Sequence, residues 1–462
     1  MSSLPRLAVG SVQRGLDRRA VVWGLLDLFD RLGLRVQGFQ SRGCLQELEA
    51  ATAITGNAPR HLDSWLMTAE VCREAFVRAA RQSDLSVVEG SFADEPDCGE
   101  FGEVVGSRLS ALCRWLALPR LGIIDMPGLS GGEVPERRPD VDALLIDRVA
   151  NPCDFYRWQT VLESLWGIPV LGGLELVPAL RTAIGQIEPR RQPPRDLCEK
   201  LGEQLLRFVR PTQLLELANR NPWPGAAVRS CATAEASTAC HLSLAAEQPM
   251  NLTVAIAYDD AFFGYCPDAL DALEQRGVTV RDFSPLRDEA LPPDADIVYI
   301  GCGRPDLHAG ELSDNFCLML ALRDHVCAGK RIYAEGGGLA YLCQQLALPC
   351  GERVSMTGIF PAVAHATSRP VPPRPIELTL ARDLWFGNRG RRLRGYLNEN
   401  WRLEPVSSLT TCAMEPERQL DLIERHQAVG SLVHLNLALQ PALLESFLRQ
   451  SPPALAWGTP QV

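Results

Sequence analysis

The 462-residue chain has no long apolar run, no dense basic cluster and, despite 15 cysteines, no Cys-x-x-Cys pair. Each absence removes a class of function. The longest apolar stretches are of strand length or carry charges, whereas a membrane-spanning helix needs about 20 apolar residues in succession. No membrane span is therefore expected. The opening MSSLPRLAVGSVQRGLDRRA lacks a long apolar segment before a small-residue cleavage site, so no secretory signal is expected either. A net charge of −10 argues against a general nucleic-acid binder, which draws its affinity from cationic side chains at phosphates. The cysteines stand singly, far in sequence from most of the 7 histidines, which speaks against a zinc ribbon or a disulfide framework. Ligands converging in space from distant positions remain open. The expectation is a cytoplasmic protein with reduced, mostly buried thiols and no metal site.

What is present is the balance of a soluble globular protein, 46% apolar and 22% charged, long enough for two domains. In the first half, RLAVG (6–10), LRVQGF (34–39), LSVVEG (85–90), LGIID (121–125) and DALLID (142–147) read as near-continuous apolar strands. Helical segments lie between them, at 17–31 and across DSWLMTAEVCREAFVRAARQ (63–82). That alternation predicts a parallel sheet covered on both faces. Residues 219–250, rich in Ala, Ser, Pro and Gly without apolar period, read as a linker. The alternation restarts beyond it. LTVAIA (252–257), DIVYIG (296–301), KRIYAE (330–335), IELTLA (376–381) and SLVHLNLA (431–438) are predicted strands. Helices are predicted at 266–277, 312–330 and 442–450. The organisation is α/β throughout, with domains at 1–218 and 251–455.

RIYAEGGGLAYLC (331–343) reads as a buried strand, a glycine turn and a helix start, the corner on which many α/β enzymes mount a nucleophile. Together with FSPLRDEALPPDADIVYIGCGRPDLHAGELSDN (283–315) and GSLVHLNLALQPALLESFL (430–448), this corner resembles the amidotransferase domain of cobyrinic acid a,c-diamide synthases. GLRVQGF (33–39), TGNAPRHLDSWLM (55–67) and DLSVVEG (84–90) are similar, less specifically, to that family's synthetase domain. The resemblance implies a P-loop-NTPase-like parallel-sheet domain followed by a class I glutamine amidotransferase-like, flavodoxin-like domain. It also implies a chemistry. The second domain would hydrolyse glutamine to ammonia. The first would use Mg-ATP to phosphorylate a tetrapyrrole side-chain carboxylate, cobyrinate or sirohydrochlorin, which ammonia then attacks.

Matched position by position, both centres depart from the family pattern. The family's corner reads Glu-Cys-Gly-Gly, and here the cysteine position is Gly336. The base of the terminal motif is matched by His434, while that motif's second histidine is Asn436. Gly301, Cys302 and Gly303 match the glycine-rich turn that lines the pocket and can offer an oxyanion-type N–H. Cys302 and Cys343 are the thiols nearest in sequence logic to a replacement, but neither inherits the elbow, and about 1 Å of misplacement can cost about a hundredfold in rate.

In the first domain the Gly-Lys-Thr of a phosphate loop falls on Asp17-Arg18-Arg19, and no Gly-Lys-Ser/Thr occurs between residues 1 and 30. Gly15, Arg18, Arg19, Asp63 and Glu89 are the remnants of a nucleotide and magnesium site that the resemblance implies. Asp63 reads equally as a helix cap, and Glu89 as a solvated carboxylate at a strand end. Arg14, Arg18, Arg19 and Arg31 cluster in or near the old loop. The resulting expectation is a catalytically inactive family member without cofactor, binding a tetrapyrrole or a protein partner as a homo- or hetero-oligomer. The alternative is an active amidating ligase that uses ammonia or a relocated thiol and binds Mg-ATP.

Overall fold

The computed structural model describes residues 4–45, 50–93, 97–98, 104–127, 139–187, 192–223, 251–367, 373–414 and 420–449. The chain divides into two compact units, Met1–Ser237 and Thr238–Val462. Most of the predicted linker lies outside the described residues, but its first five residues belong to the first unit. Trp223 stacks on Phe76, and the Arg6 guanidinium lies over the Trp223 ring while bonding to the Asn221 and Pro222 carbonyls.

The first unit is a seven-stranded parallel sheet. Its strands are β1 (Arg6–Ser11), β2 (Val36–Gln40), β3 (Arg60–His61), β4 (Leu85–Ser91), β5 (Arg120–Asp125), β6 (Ala143–Val149) and β7 (Val170–Glu175). The order across the sheet is β3-β2-β4-β1-β5-β6-β7. Successive side chains serve opposite faces. On β6, Ala143 and Leu145 join the core that packs α1 (Arg19–Arg31), while Leu144 and Ile146 join the one around Phe155 and Trp166. Burial on both faces explains why these strands are legible as unbroken apolar runs. α1 is held against α2 (Arg195–Leu205) by close backbone approach. A Cβ on Gly24 would stand 3.1 Å from the Leu201 carbonyl oxygen.

The second unit carries the strands β8 (Thr253–Ala257), β9 (Thr279–Phe283), β10 (Ile297–Ile300), β11 (Arg331–Glu335), β12 (Thr410–Met414), β13 (Leu420–Arg425) and β14 (Ala428–Ser431). Their order is β9-β8-β10-β11-β14-β13-β12, parallel through β14 and antiparallel beyond it. Helix α3 (Pro267–Gln275) follows β8, and α4 (Gly337–Leu342) follows β11. No helix among the described residues is long and apolar enough to cross a membrane.

Three predicted elements are corrected. The helix expected over 63–82 spans only Ala69–Ala80, because the Asp63 carboxylate captures backbone N–H groups of a turn and Thr68 caps the helix proper. The helix expected over 312–330 breaks at Asn315, whose side chain accepts from Leu318 N–H and starts a second helix, Phe316–Cys327. The strand expected over 431–438 ends at His434, because Asn436 takes a left-handed backbone at φ 32°. β7 lies within a segment given no strand in the sequence reading.

Candidate functional site

β11 is buried along its whole length and ends on Glu335, a carboxylate with no exposure. Such a charge persists inside a core only if its lone pairs are taken up. Here Tyr333 Oη donates to Oε1 at 2.6 Å and Tyr299 Oη to Oε2 at 3.1 Å. Leu435 N–H donates to Oε1 at 3.0 Å, and His434 Nδ1 lies 2.6 Å from Oε2. Burial opposes charge on both partners, but the ion pair overrides it. His434 is held well above its ordinary value by Glu335, and Glu335 is held below the usual range by His434.

The next residue, Gly336, sits at φ 52°, ψ −111°, a backbone that L side chains rarely adopt. Its N–H donates to Ser431 O at 2.9 Å, and its carbonyl accepts from Ala340 at 3.1 Å. A Cβ placed here would stand 3.2 Å from Cys302 Sγ and 3.3 Å from Asn398 Nδ2, both ends of side chains. The neighbouring glycines differ. A Cβ on Gly337 would lie 2.8 Å from Pro305 Cδ and run into the Gly303 carbonyl, and one on Gly338 would strike the Ile300 and Gly301 carbonyl oxygens. A side chain at 336 thus needs the ends of Cys302 and Asn398 to give by a few tenths of an ångström, whereas at 337 and 338 it would meet backbone.

The turn opposite is Gly301-Cys302-Gly303. Gly338 N–H donates to Gly301 O at 3.1 Å, and Cys302 and Gly303 pair with the short strand Phe262–Gly264. Cys302 Sγ, a Glu335 carboxylate oxygen and a His434 ring nitrogen all lie within 4.8 Å of one another. The structure therefore brings Gly336, Cys302 and His434 together with the glycine turn. Cys343 is not among them. It opens the strand Cys343–Ala347, not a continuing helix, and its buried thiol bonds to Leu339 O at 3.4 Å.

Sequence reasoning missed Cys266. Its Sγ lies 3.2 Å from His434 Nε2 and accepts from Asn436 Nδ2 at 3.2 Å. Cys266 caps the N-terminus of α3, immediately before Pro267, and is 168 residues from His434, so no spacing links the two. Burial pushes its thiol up, against the pull of His434. Glu335 was missed as well, although a lone carboxylate in an apolar strand beside the elbow was the available signal. Cys266, His434 and Glu335 thus form a row of thiol, imidazole and carboxylate joined by contacts of 3.2 and 2.6 Å. The thiol is 1% exposed and does not stand on the elbow.

Asp421 holds the segment that presents His434. Its Oδ1 accepts from Leu422 N–H at 2.7 Å, Leu432 N–H at 2.7 Å and Ser431 Oγ at 3.0 Å. Burial nevertheless pushes this carboxyl from 3.8 up to about 6. The protonated form is thus favoured by folding, so the stabilisation is complete below pH 3.8 and lost as pH rises through about 6. Over that window the full chain should lose about 3 kcal/mol from this group, at about 1.4 kcal/mol per pH unit. Denaturant titrations should show the loss, and Asp421→Asn should flatten it.

In the first unit, the loop after β1 leads into α1 as a phosphate loop would, but its cations are engaged internally. Arg18 Nε lies 2.8 Å from Glu89 Oε1, an ion pair without hydrogen-bond alignment, and Gln40 Nε2 donates to Glu89 Oε2 at 3.2 Å. Arg19 Nε donates to Asp17 Oδ1 at 2.8 Å. Burial raises the Asp17 carboxyl, but the Arg19 bonds outweigh it and hold it below its ordinary value. Arg31 is at the far end of α1, on Asp27 at 2.5 Å, and Arg14 Nε donates to Ala93 O at 3.4 Å. Gly15 forms a left-handed turn at φ 69°. Asp63 is fully buried and accepts from Gly43, Trp65 and Leu66 N–H groups at 2.8, 2.8 and 3.0 Å. Of the five remnants, the structure joins Arg18 to Glu89. Most of the segment 91–103 lies outside the described residues.

The fold and corner define a class. Residues 253–402 match the family of CobB/CobQ-like glutamine amidotransferase domains. The chain is 28% identical over 410 residues to cobyrinate a,c-diamide synthase of Syntrophotalea carbinolica, covering 85% of each chain. It is 29% identical over 368 residues to the enzyme of that name from Salmonella typhimurium, covering 75% of each, and 24% identical to the one from Leptospira interrogans, covering 96% of this chain and 98% of that one. A solved glutamine amidotransferase structure overlays 42% of this chain and 96% of that chain, with 15% identity and a TM-score of 0.34. The chain carries a glutamine amidotransferase-like domain and, along most of its length, is a homologue of the cobyrinate a,c-diamide synthases.

Proposed function

We propose that this protein is a catalytically inactive homologue of cobyrinate a,c-diamide synthase, a binding or regulatory subunit for a tetrapyrrole or a protein partner. One observation carries the reading: the elbow keeps its strained backbone, its glycine turn and its histidine, but at 336 it has no side chain to form a thioester. The Arg18–Glu89 pair supports it, because the arginine lies on the carboxylate that the resemblance assigns to magnesium.

The test is incubation of the full chain with glutamine, ATP, magnesium and either cobyrinic acid or sirohydrochlorin. No glutamate and no amide above a protein-free blank is the expected result, and magnesium-dependent ATP binding should be absent by calorimetry. Amide formation would refute the proposal. A second reading, an ammonia- or thiol-dependent amidating ligase, is favoured by the two thiols near His434. Covalent trapping of Cys266 or Cys302 by a glutamine-analogue alkylator, with turnover, would establish it.

A further inference from the structure

We propose that the vacated elbow is a binding site for a soft divalent metal ion, zinc by preference, with Cys266 Sγ, Cys302 Sγ and His434 Nε2 as protein ligands. The inference is independent of whether the protein turns over glutamine. It rests on convergence at His434: two buried thiols from two other segments both approach this imidazole. Cys266 Sγ is 3.2 Å from His434 Nε2, and Cys302 Sγ is within 4.8 Å of a His434 ring nitrogen. Zinc bonds of about 2.3 Å to sulfur and about 2.0 Å to nitrogen place tetrahedral S and N ligands about 3.5 Å apart. Side-chain adjustments of a few tenths of an ångström therefore suffice at Cys266.

The surroundings fit a metal-bound imidazole. Glu335 Oε2 is 2.6 Å from His434 Nδ1, so the carboxylate orients the ring and leaves Nε2 facing Cys266 Sγ at 3.2 Å. Glu335 also takes bonds from Tyr299, Tyr333 and Leu435 N–H, which makes it an orienting group rather than a ligand. Asn436 Nδ2 donates to Cys266 Sγ, as it would to a thiolate. A fourth donor would be water or a small exogenous ligand, and Gly336, whose Cβ position lies 3.2 Å from Cys302 Sγ, puts no side chain beside that thiol. Two thiolates and one imidazole suit zinc over magnesium or calcium, which take oxygen ligands. Binding displaces the two thiol protons and the Nε2 proton of the charged His434 ring, so three protons are released to solvent for each dication bound.

The experiment uses the reduced, metal-stripped full chain. Zinc is titrated in competition with a chromophoric chelator, and cobalt(II) is titrated optically. One ion per chain is expected, with thiolate-to-cobalt charge transfer and the intense visible bands of a tetrahedral site. Cys266→Ser and Cys302→Ser should each weaken binding by at least about tenfold and reduce the charge transfer, while Cys343→Ser should change neither. Glu335→Gln should weaken binding about 10–100-fold while retaining the thiolate bands, as loss of an orienting carboxylate does. Where a variant fails to fold, the native chain still decides: zinc should protect Cys266 and Cys302 from alkylation, read by peptide mass. Absence of charge transfer in the native chain, unchanged affinity in both serine variants, or alkylation of both thiols at saturating zinc would each overturn the proposal.

Discussion

Glu335→Ala should destabilise the second unit by about 3–5 kcal/mol, the cost of breaking a buried pair by removing one partner. The charge itself is not the whole cause. The substitution strands a 5%-exposed imidazole and also leaves the Tyr299 and Tyr333 hydroxyls and the Leu435 N–H without their acceptor. Each orphaned donor adds about 1–3 kcal/mol before relaxation. Glu335→Gln should cost less, since one amide oxygen still accepts. His434→Ala on the Glu335→Ala background should cost little more, because the two groups act as a pair. Guanidinium unfolding of the full chain, with hydrogen exchange to assign the loss to the second unit, provides the measurement. A loss below about 1 kcal/mol for Glu335→Ala would show that the carboxylate is not the hub that its four contacts describe.

Gly338→Ala should be the most damaging of the single-methyl additions at the corner, at about 3 kcal/mol or more. Its Cβ meets backbone oxygens of Ile300 and Gly301, which cannot rotate away, so β10 or α4 must shift. Gly336→Ala should cost about 1–2 kcal/mol, mainly for the left-handed backbone, since its nearest neighbours are side-chain ends. The comparison isolates sterics from conformation: 336 has the positive φ and only movable side-chain ends as neighbours, whereas 338 has an ordinary φ and faces backbone oxygens. Melting temperatures of the two variants test the ranking. Equal losses would mean that the corner lacks the accommodating slot at 336.

Much of the fold was legible in the sequence because its strands are buried on both faces. β1, β4, β5 and β6 read directly as apolar runs, and the strand, turn and helix at 331–343 fall where the pattern puts them. The misplaced boundaries share one cause. At Asp63, Asn315 and Asn436, a short polar side chain or a left-handed backbone ends an element inside an otherwise continuous apolar pattern. The candidate site was half legible. Gly336, His434 and the 301–303 turn follow from motif order, and the structure gathers them. Cys266 did not, because its relation to His434 arises only when β8, α3 and the Val433–His434 strand are stacked in space. In the first unit, the sequence showed a loop with the wrong side chains. Only the coordinates show that Arg18 spends its charge on Glu89.

The slot at residue 336 also has a genetic consequence. Two of the four glycine codons, GGT and GGC, become cysteine codons by a single base change, and the local architecture does not forbid the product. From either of those codons, one base change would set a cysteine Cβ 3.2 Å from Cys302 Sγ, the thiol that lies within 4.8 Å of Glu335 and His434 ligand atoms. The folding cost of such a change is about 1–2 kcal/mol, as expected for a side chain on this backbone.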